Sequence, residues 1–326
     1  MKNNMYIKYI VTIIILCMSS TVYAQAEKEE PRKEESAVTE YQPVKLPVNM
    51  YDTFTFDESN RTPVRVGLYI MGPAFVTVWG LVEWGYFSRY EFKMDPSDPW
   101  GARALDGTQD KFGHAFGAYL TKRMASFVYR STGDSRLRAN LRGAVYSELV
   151  TLLLEVGDGY STKYGFDPWD VVYNNAGILF GFMLDQFPVL DRMFAFQIEW
   201  VPTKTFRKDF KSLSEKSDIT TDYSGQKILF VTKLGGIPYV SRTPLRYVNV
   251  DLGYFSRGYA NNEFSHDTRD VYVGLSVNFS IAFGDLLPVG YASSTAQTVF
   301  NYIHVPYDLE VKKWRLSSVD HRDQVH

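Results

Sequence analysis

The sequence predicts an α+β protein, in which an N-terminal helical module of three to five helices precedes an antiparallel β-meander of four or five strands. Three segments, 110–130, 140–156 and 168–184, repeat their apolar residues with the period of a helix. From Phe194 onward the repeat changes to two, as in a strand with one buried face. The order of these two periods along the chain predicts the architecture.

Composition limits the classes of function. The chain has 326 residues, enough for one large or two ordinary domains. Its 45% of hydrophobic residues excludes a wholly disordered protein. The balance of 35 Lys+Arg against 37 Asp+Glu gives no basic excess, so we predict no nucleic-acid partner. The aromatic share of 16% suits a surface that meets lipid, glycan or another chain.

The first 24 residues predict a secretory signal peptide. Lys2 and Lys8 provide a positive start, an apolar run follows from Ile10 to Met18, and Val22-Tyr23-Ala24 offers a cleavage site. The apolar run is too short to span a bilayer as a stable anchor. We therefore expect an exported protein, located in the periplasm or the outer membrane. The single cysteine, Cys17, lies within this segment, so we expect no disulfide in the mature chain.

A tether and the start of the helical module follow. Residues 25–60 are polar and interrupted by proline, and we expect most of this stretch to be a disordered tether. The helical module is predicted at 61–190. Its first part, 66–82, carries no charge and contains Pro73, which puts it at the edge of transmembrane length. Two interpretations of 64–87 stay open: a buried pair of core helices, or a membrane span.

The β-rich region is predicted at 191–290. Alternation is clearest at 271–281, is also present at 194–200 and 248–254, and 228–234 is a further expected strand. Outer-membrane hairpins show the same pattern, but a single-chain membrane barrel needs at least about 8 strands. We therefore expect a meander packed on the helical part, followed by a C-terminal tail at 291–326.

Each of the three periodic helices carries one stripe of polar and small residues. Asp110 and His114 lie one turn apart on the first helix, and Asp170 and Asn174 lie one turn apart on the third. The second helix is apolar on nearly every face, so we expect it to be buried, with Glu148 and Glu155 pointing into the protein. Because an unpaired buried carboxylate is costly, we expect the stripes to converge. The candidate catalytic residues are His114, Asp110, Glu155, Asp158, Asp170 and Asn174.

Two interpretations of this polar cluster stay open. In the functional one, His114 is an acid/base or a ligand, and the acids bind a cation or orient the imidazole. In the structural one, the same groups form a buried hydrogen-bond network that fixes helix register. We predict no organic cofactor; a divalent cation is the ligand that the acids could hold, and the sequence leaves the metal unknown.

The ordered motifs resemble a known family. Asp110-Lys-Phe-Gly-His114, Glu155-x-x-Asp158-Gly and Asp170-x-x-x-Asn174-x-x-Gly look like the YfiM-like family of periplasmic or outer-membrane lipoproteins, a domain of unknown function. The same order of motifs is similar to that of the VanZ-like membrane proteins linked to glycopeptide resistance. The resemblance covers about residues 64–184, and it implies an envelope location without implying a reaction. The sequence departs from the lipoprotein members because it lacks a usable acylation cysteine.

These observations lead to three hypotheses of function. The first is an exported cell-envelope protein of uncharacterised activity, a binding or structural component at the outer membrane or in the periplasm. The alternative is an enzyme that acts on a lipid-linked or phosphate-bearing envelope molecule through the His114 cluster. A third is a small outer-membrane β-assembly formed by several chains. The expected partners are a membrane surface or an envelope lipid, and other envelope proteins.

Overall fold

The computed structural model describes residues 55–98, 100, 105–212, 219–259, 264, 266–288 and 291–320. The predicted signal peptide and most of the predicted tether lie outside the described residues. Four long α-helices form the first part of the fold: α1 Glu58–Trp79, α2 Gln109–Ser131, α3 Arg136–Gly159 and α4 Pro168–Gln186. The bounds of α2, α3 and α4 confirm the three segments that the helical period predicts.

The apolar stretch 64–87 lies mainly in one helix. α1 runs through Pro63 and Pro73 and continues into a π-helical turn, Gly80–Trp84. Of the two interpretations left open for this stretch, the buried pair of core helices does not fit the structure. Only 17% of the most apolar 18-residue stretch of this helix is buried. Among the described residues it is the one helix that is long and apolar enough to cross a membrane.

The outward face of α3 corrects a second expectation. The sequence is apolar on nearly every face of this helix, which predicts burial on all sides. In the structure one stripe of large apolar side chains is instead exposed, formed by Leu141, Val145, Leu149, Leu152 and Val156. Helix α3 therefore has a buried face toward α2 and an uncovered apolar face opposite.

Glycine brings the helices close together around α2. An ideal Cβ added at Gly177 of α4 would lie 1.9 Å from the backbone oxygen of Ala115 on α2. A Cβ added at Gly143 of α3 would lie 2.0 Å from Oγ of Ser126, also on α2. Any side chain at these positions would push the helices apart, so the two glycines set how closely α3 and α4 approach α2.

A buried ionic network joins α2 to the end of α4. Lys122 and Arg123, both almost fully buried, face the carboxylate of Asp185 on α4. Arg123 Nε lies 3.0 Å from Asp185 Oδ1, and its Nη1 lies 2.6 Å from Asp191 Oδ1. Lys122 Nζ also donates to Asn140 Oδ1 on α3. The network connects four helices, since Asp191 lies on the short helix Pro188–Met193, and it satisfies charges that would otherwise be costly to bury.

The second part of the fold is an antiparallel sheet with the strand order β1-β2-β3-β4-β5. The strands are β1 Phe194–Trp200, β2 Gln226–Lys233, β3 Val248–Arg257, β4 His266–Val277 and β5 Leu309–Asp320. This meander of five strands confirms the predicted α+β class. The described residues also form four shorter α-helices, in addition to several 3-10 turns: α5 Pro188–Met193, α6 Lys204–Ser212, α7 Phe279–Leu286 and α8 Tyr291–Tyr302.

Two details of the β-rich region differ from the sequence prediction. The strand expected at 271–281 ends at Val277, because the Asn278 side chain accepts a hydrogen bond from the Ile281 backbone N–H and so caps α7. The stretch 291–326, predicted as a tail, contains α8 and the edge strand β5. Helix α8 also contributes to a core cluster that includes Tyr119, Ile228 and Tyr302.

One face of the sheet packs on α2 and α4. The rings of Phe112 on α2 and Tyr254 on β3 are 4.7 Å apart between centroids, and those of Phe180 on α4 and Phe230 on β2 are 5.3 Å apart. This aromatic layer places the sheet beside the two helices that carry His114 and Asp170.

Candidate functional site

His114 lies at the centre of the polar cluster, in the second turn of α2. Its Nδ1 is 3.2 Å from Glu155 Oε1 on α3. Its Nε2 lies 3.5 Å from Asp110 Oδ1 and 3.6 Å from Asp170 Oδ1. The structure therefore brings together four of the predicted residues at the ends of three helices.

Glu155 and Asn174 hold the imidazole from the inside of the bundle. Glu155 is fully buried, and Asn174 on α4 donates a hydrogen bond of 3.3 Å to its Oε1. The other oxygen, Oε2, is buried with no hydrogen-bond partner among the described residues. Because Glu155 contacts Nδ1, this contact favours a proton on Nδ1 and leaves Nε2 facing Asp110 and Asp170.

Lys111 connects the acids on the outer side of the cluster. Its Nζ lies 3.0 Å from Asp110 Oδ2, 2.7 Å from Asp167 Oδ2 and 2.6 Å from Asp170 Oδ1. Asp167 is also the N-cap of α4, where its Oδ1 accepts the Trp169 backbone N–H at 2.9 Å. The lysine therefore fixes the start of α4 against the start of α2.

The sheet side contributes a tyrosine. The Tyr223 hydroxyl, in the turn before β2, donates a hydrogen bond of 2.7 Å to Asp110 Oδ1. Asp158, the remaining predicted residue, lies in the last turn of α3 near Tyr86. Its interaction with Glu155 and His114 is electrostatic.

Burial and the neighbouring charges shift the pKa values of the residues in this cluster. Burial lowers the pKa of His114, but the carboxylates of Asp110 and Asp170 outweigh burial and raise this pKa to about 10. Burial raises the pKa of Asp170 to about 7, and burial together with Glu155 raises the pKa of Asp158 to about 8. At neutral pH the cluster therefore holds protons that an exposed set of acids would have released.

Three side chains offer a set of ligand atoms for a cation. The donor atoms of Asp110, His114 and Asp170 all lie within 4.8 Å of one another. The side chains of Asp110 and His114 keep 21% and 17% of their surface exposed, so solvent reaches these two donors, whereas the Asp170 side chain is 9% exposed. One imidazole nitrogen and two carboxylates form a set that suits borderline divalent ions such as Zn²⁺ and Mn²⁺.

Sequence reasoning missed three members of the cluster. Lys111 lies inside the motif Asp110-Lys-Phe-Gly-His114, and Asp167 lies three residues before Asp170, where the third motif begins. Their role was hidden because the motif spacing does not show which acids share a partner. Tyr223 comes from a distant turn, and no signal in the sequence connects it to Asp110.

A second histidine cluster, on the opposite face of the sheet, was also missed. His304, just after α8, has the sequence surroundings of a loop histidine, but its Nδ1 lies 3.1 Å from Glu199 Oε2 in a buried setting. Its Nε2 lies 3.8 Å from Asp251 Oδ2, and Lys227 Nζ lies 3.3 Å from Glu199 Oε1. Burial lowers the pKa of His304, but the carboxylates of Asp251 and Glu199 outweigh burial and raise it to about 9.

The helical part of the chain is similar to a known protein family. Residues 99–186 match a family model described as "Predicted periplasmic lipoprotein (DUF2279)". The matched segment contains α2, α3 and α4, and therefore every predicted member of the His114 cluster. No curated protein matches the chain, and no solved structure matches it.

The match supports the coarser part of the resemblance found in the sequence. Residues 99–186 are similar to a predicted periplasmic lipoprotein family whose domain has no known function. The finer YfiM-like and VanZ-like assignments stay predictions. The prediction of location is confirmed: the protein is exported, to the periplasm or the outer membrane.

Proposed function

We propose that this protein is a binding component of the cell envelope, and that its His114 cluster binds one divalent cation through Asp110, His114 and Asp170. The observation that carries the proposal is the position of His114 Nε2, which lies 3.5 Å and 3.6 Å from the two aspartate oxygens. A metal-bound histidine commonly donates its other ring N–H to a carboxylate, and Glu155 occupies that place at 3.2 Å.

The charge balance of the cluster also favours a cation. Carboxylates outnumber the cationic groups, because Lys111 and His114 face Asp110, Glu155, Asp158, Asp167 and Asp170. Buried and crowded acids either take up protons or bind a metal ion, and burial, together with the neighbouring acids, raises the pKa values of Asp158 and Asp170. A divalent ion would replace those protons and would relieve the repulsion.

The binding test is calorimetric titration of the mature protein with MnCl₂ and with ZnCl₂. We expect one site, and we expect His114→Ala to weaken it by more than about 100-fold, since loss of a ligand exceeds the 10- to 100-fold effect typical of its supporting residues. The matched control is His266→Ala, which removes an exposed histidine at the start of β4 and should leave the affinity unchanged. Equal affinities for the protein and for His114→Ala would contradict the proposal.

The affinity should depend on pH in a defined direction. The cation needs neutral His114 and ionised Asp170, whose pKa values are raised to about 10 and about 7. Because binding must displace these protons, the affinity should rise from pH 6 to pH 8.5, by up to about tenfold per pH unit for each proton released. Titrations in buffers of different ionisation enthalpy measure the released protons directly, and an affinity that falls over this range would contradict the site.

A second candidate function is an enzyme acting on a lipid-linked or phosphate-bearing envelope molecule. Two observations favour it. His114 and Asp110 are partly exposed and lie beside Lys111, whose positive charge could contact a phosphate group. A cation held by only three protein ligands would also keep coordination positions for a water and a phosphate oxygen. The test of this function is release of inorganic phosphate from a long-chain prenyl diphosphate in mixed micelles with Mn²⁺ or Zn²⁺. Release that is lost in His114→Ala and kept in His266→Ala supports it, and absence of release above background contradicts it.

A further inference from the structure

The helical part carries a band of exposed apolar side chains that the His114 cluster does not explain. The band covers the outward faces of three helices. Its members are Val66, Ile70, Phe75 and Val78 on α1, Leu81 in the π-helical turn that continues it, Leu141, Val145, Leu149, Leu152 and Val156 on α3, and Val172, Leu179 and Met183 on α4. Monomeric water-soluble proteins rarely expose a continuous apolar surface larger than a few hundred Å².

The band has the same height on its two longest helices. Val66–Leu81, which runs from α1 into the π-helical turn, and Leu141–Val156 on α3 are each about 24 Å long at a rise of about 1.5 Å per residue. The apolar band of outer-membrane proteins is about 25 Å tall, and the hydrocarbon core of a typical bilayer is about 30 Å thick. The height of the band therefore fits a lipid bilayer.

The two ends of the band differ in chemistry, as they do in membrane proteins. The end where α1 and α3 begin and α2 and α4 finish carries six arginines, of which Arg65 and Arg142 form ion pairs with Asp134: Arg61, Arg65, Arg130, Arg136, Arg138 and Arg142. The opposite end carries aromatic side chains that are at least partly exposed: Phe87, Tyr90, Phe92, Tyr164 and Trp169. Aromatic rings at one boundary and arginines at the other are typical of chains anchored at both membrane surfaces.

We infer that the outward faces of α1, α3 and α4 insert into the hydrocarbon core of a lipid bilayer, with the arginine end at an anionic headgroup surface. Arginine complements lipid phosphates because its guanidinium group binds them through paired hydrogen bonds. This charge complementarity favours lipid over a second copy packed in parallel, because such a copy would bring the two arginine ends together. The His114 cluster then lies at the aromatic end of the band, on the inner faces of the helices, with Glu155 and Asn174 level with the band residues Val156 and Val172. The inference does not depend on whether that cluster binds a cation.

Cysteine accessibility tests this inference on the mature chain. Its single cysteine, Cys17, lies in the predicted leader, so the mature chain can carry one introduced thiol at a time. The test variants are Val145→Cys and Leu149→Cys in the band, where the side chains are 61% and 62% exposed. The matched control is Leu286→Cys at the end of α7, where the side chain is 77% exposed.

Each variant is reconstituted into phosphatidylethanolamine/phosphatidylglycerol vesicles and treated with a membrane-impermeant maleimide. We expect the band thiols to react at least 10-fold more slowly than the Leu286→Cys thiol, and to react at the control rate after solubilisation in sodium dodecyl sulfate. We also expect the protein to stay with the vesicles after carbonate extraction. Lipids carrying doxyl groups should quench a fluorophore on the band thiols and leave one at position 286 unquenched.

Two results would overturn the inference. Band thiols that react as fast as the control in vesicles would show that water covers the band. Protection of the band thiols in detergent-free buffer, together with a sedimentation velocity of a dimer or larger assembly, would show that another copy of the chain covers it. Because each substitution is at an exposed position and is small, misfolding does not account for either result.

Discussion

Replacing Asp185 by alanine should destabilise the protein by about 3–5 kcal/mol, because it leaves two buried cations without their shared partner. Lys122 and Arg123 are almost fully buried, and Asp185 is the carboxylate that contacts both. Asp191 would still face Arg123 at 2.6 Å, but Lys122 would keep only neutral hydrogen-bond acceptors. The free energy of unfolding, measured by chemical denaturation, would show the loss.

The matched control for this prediction is Asp285→Ala. Asp285 forms an exposed ion pair with Arg246 at 3.2 Å, and such pairs contribute about 0–1 kcal/mol. A loss in Asp185→Ala no larger than the loss in Asp285→Ala would mean that the buried network is not needed to hold α2 against α4.

Replacing Gly177 by alanine should cost about 3 kcal/mol and should also weaken cation binding. The added Cβ would lie 1.9 Å from the backbone oxygen of Ala115, so α2 and α4 must move apart, and overpacking of this kind costs about 1–3 kcal/mol or more. The same movement would separate His114 on α2 from Asp170 on α4. Thermal unfolding and calorimetric titration of the same sample measure both effects.

Gly113→Ala is the matched control for Gly177→Ala. Gly113 is in the interior of α2, and an added Cβ there meets nothing within 4 Å. Alanine should therefore stabilise this helix by about 0.5–1 kcal/mol. If Gly177→Ala behaved like Gly113→Ala, the close contact between α2 and α4 would not determine the geometry of the site.

The features predicted correctly from the sequence are those that depend on local periodicity, namely the helices and their polar stripes. The stripes of α2, α3 and α4 depend only on helical spacing, so the convergence of His114, Glu155 and Asp170 could be expected from the order of residues alone. The contribution of Tyr223 could not, because it depends on where a distant turn lies against α2. His304 was missed for the same reason, since its partners Glu199 and Asp251 come from β1 and β3.

Periodicity also could not show what covers an apolar face. The composition of α3 predicted burial on every side, but apolar side chains are equally stable against lipid and against protein, so the sequence does not distinguish them. At the end of β4 the alternation continued through Phe279 and Ile281, while the hydrogen bond to Asn278 began a helix there. A capping side chain outweighed the strand pattern at that boundary.

The most direct test of the cation site is pulsed electron paramagnetic resonance of Mn²⁺ bound to the protein at one equivalent. The proposal predicts a ¹⁴N coupling from one imidazole, which is kept in His266→Ala and lost in His114→Ala. A spectrum without nitrogen coupling, or a coupling that survives in His114→Ala, would contradict the claim that this imidazole and the two aspartates form one metal site.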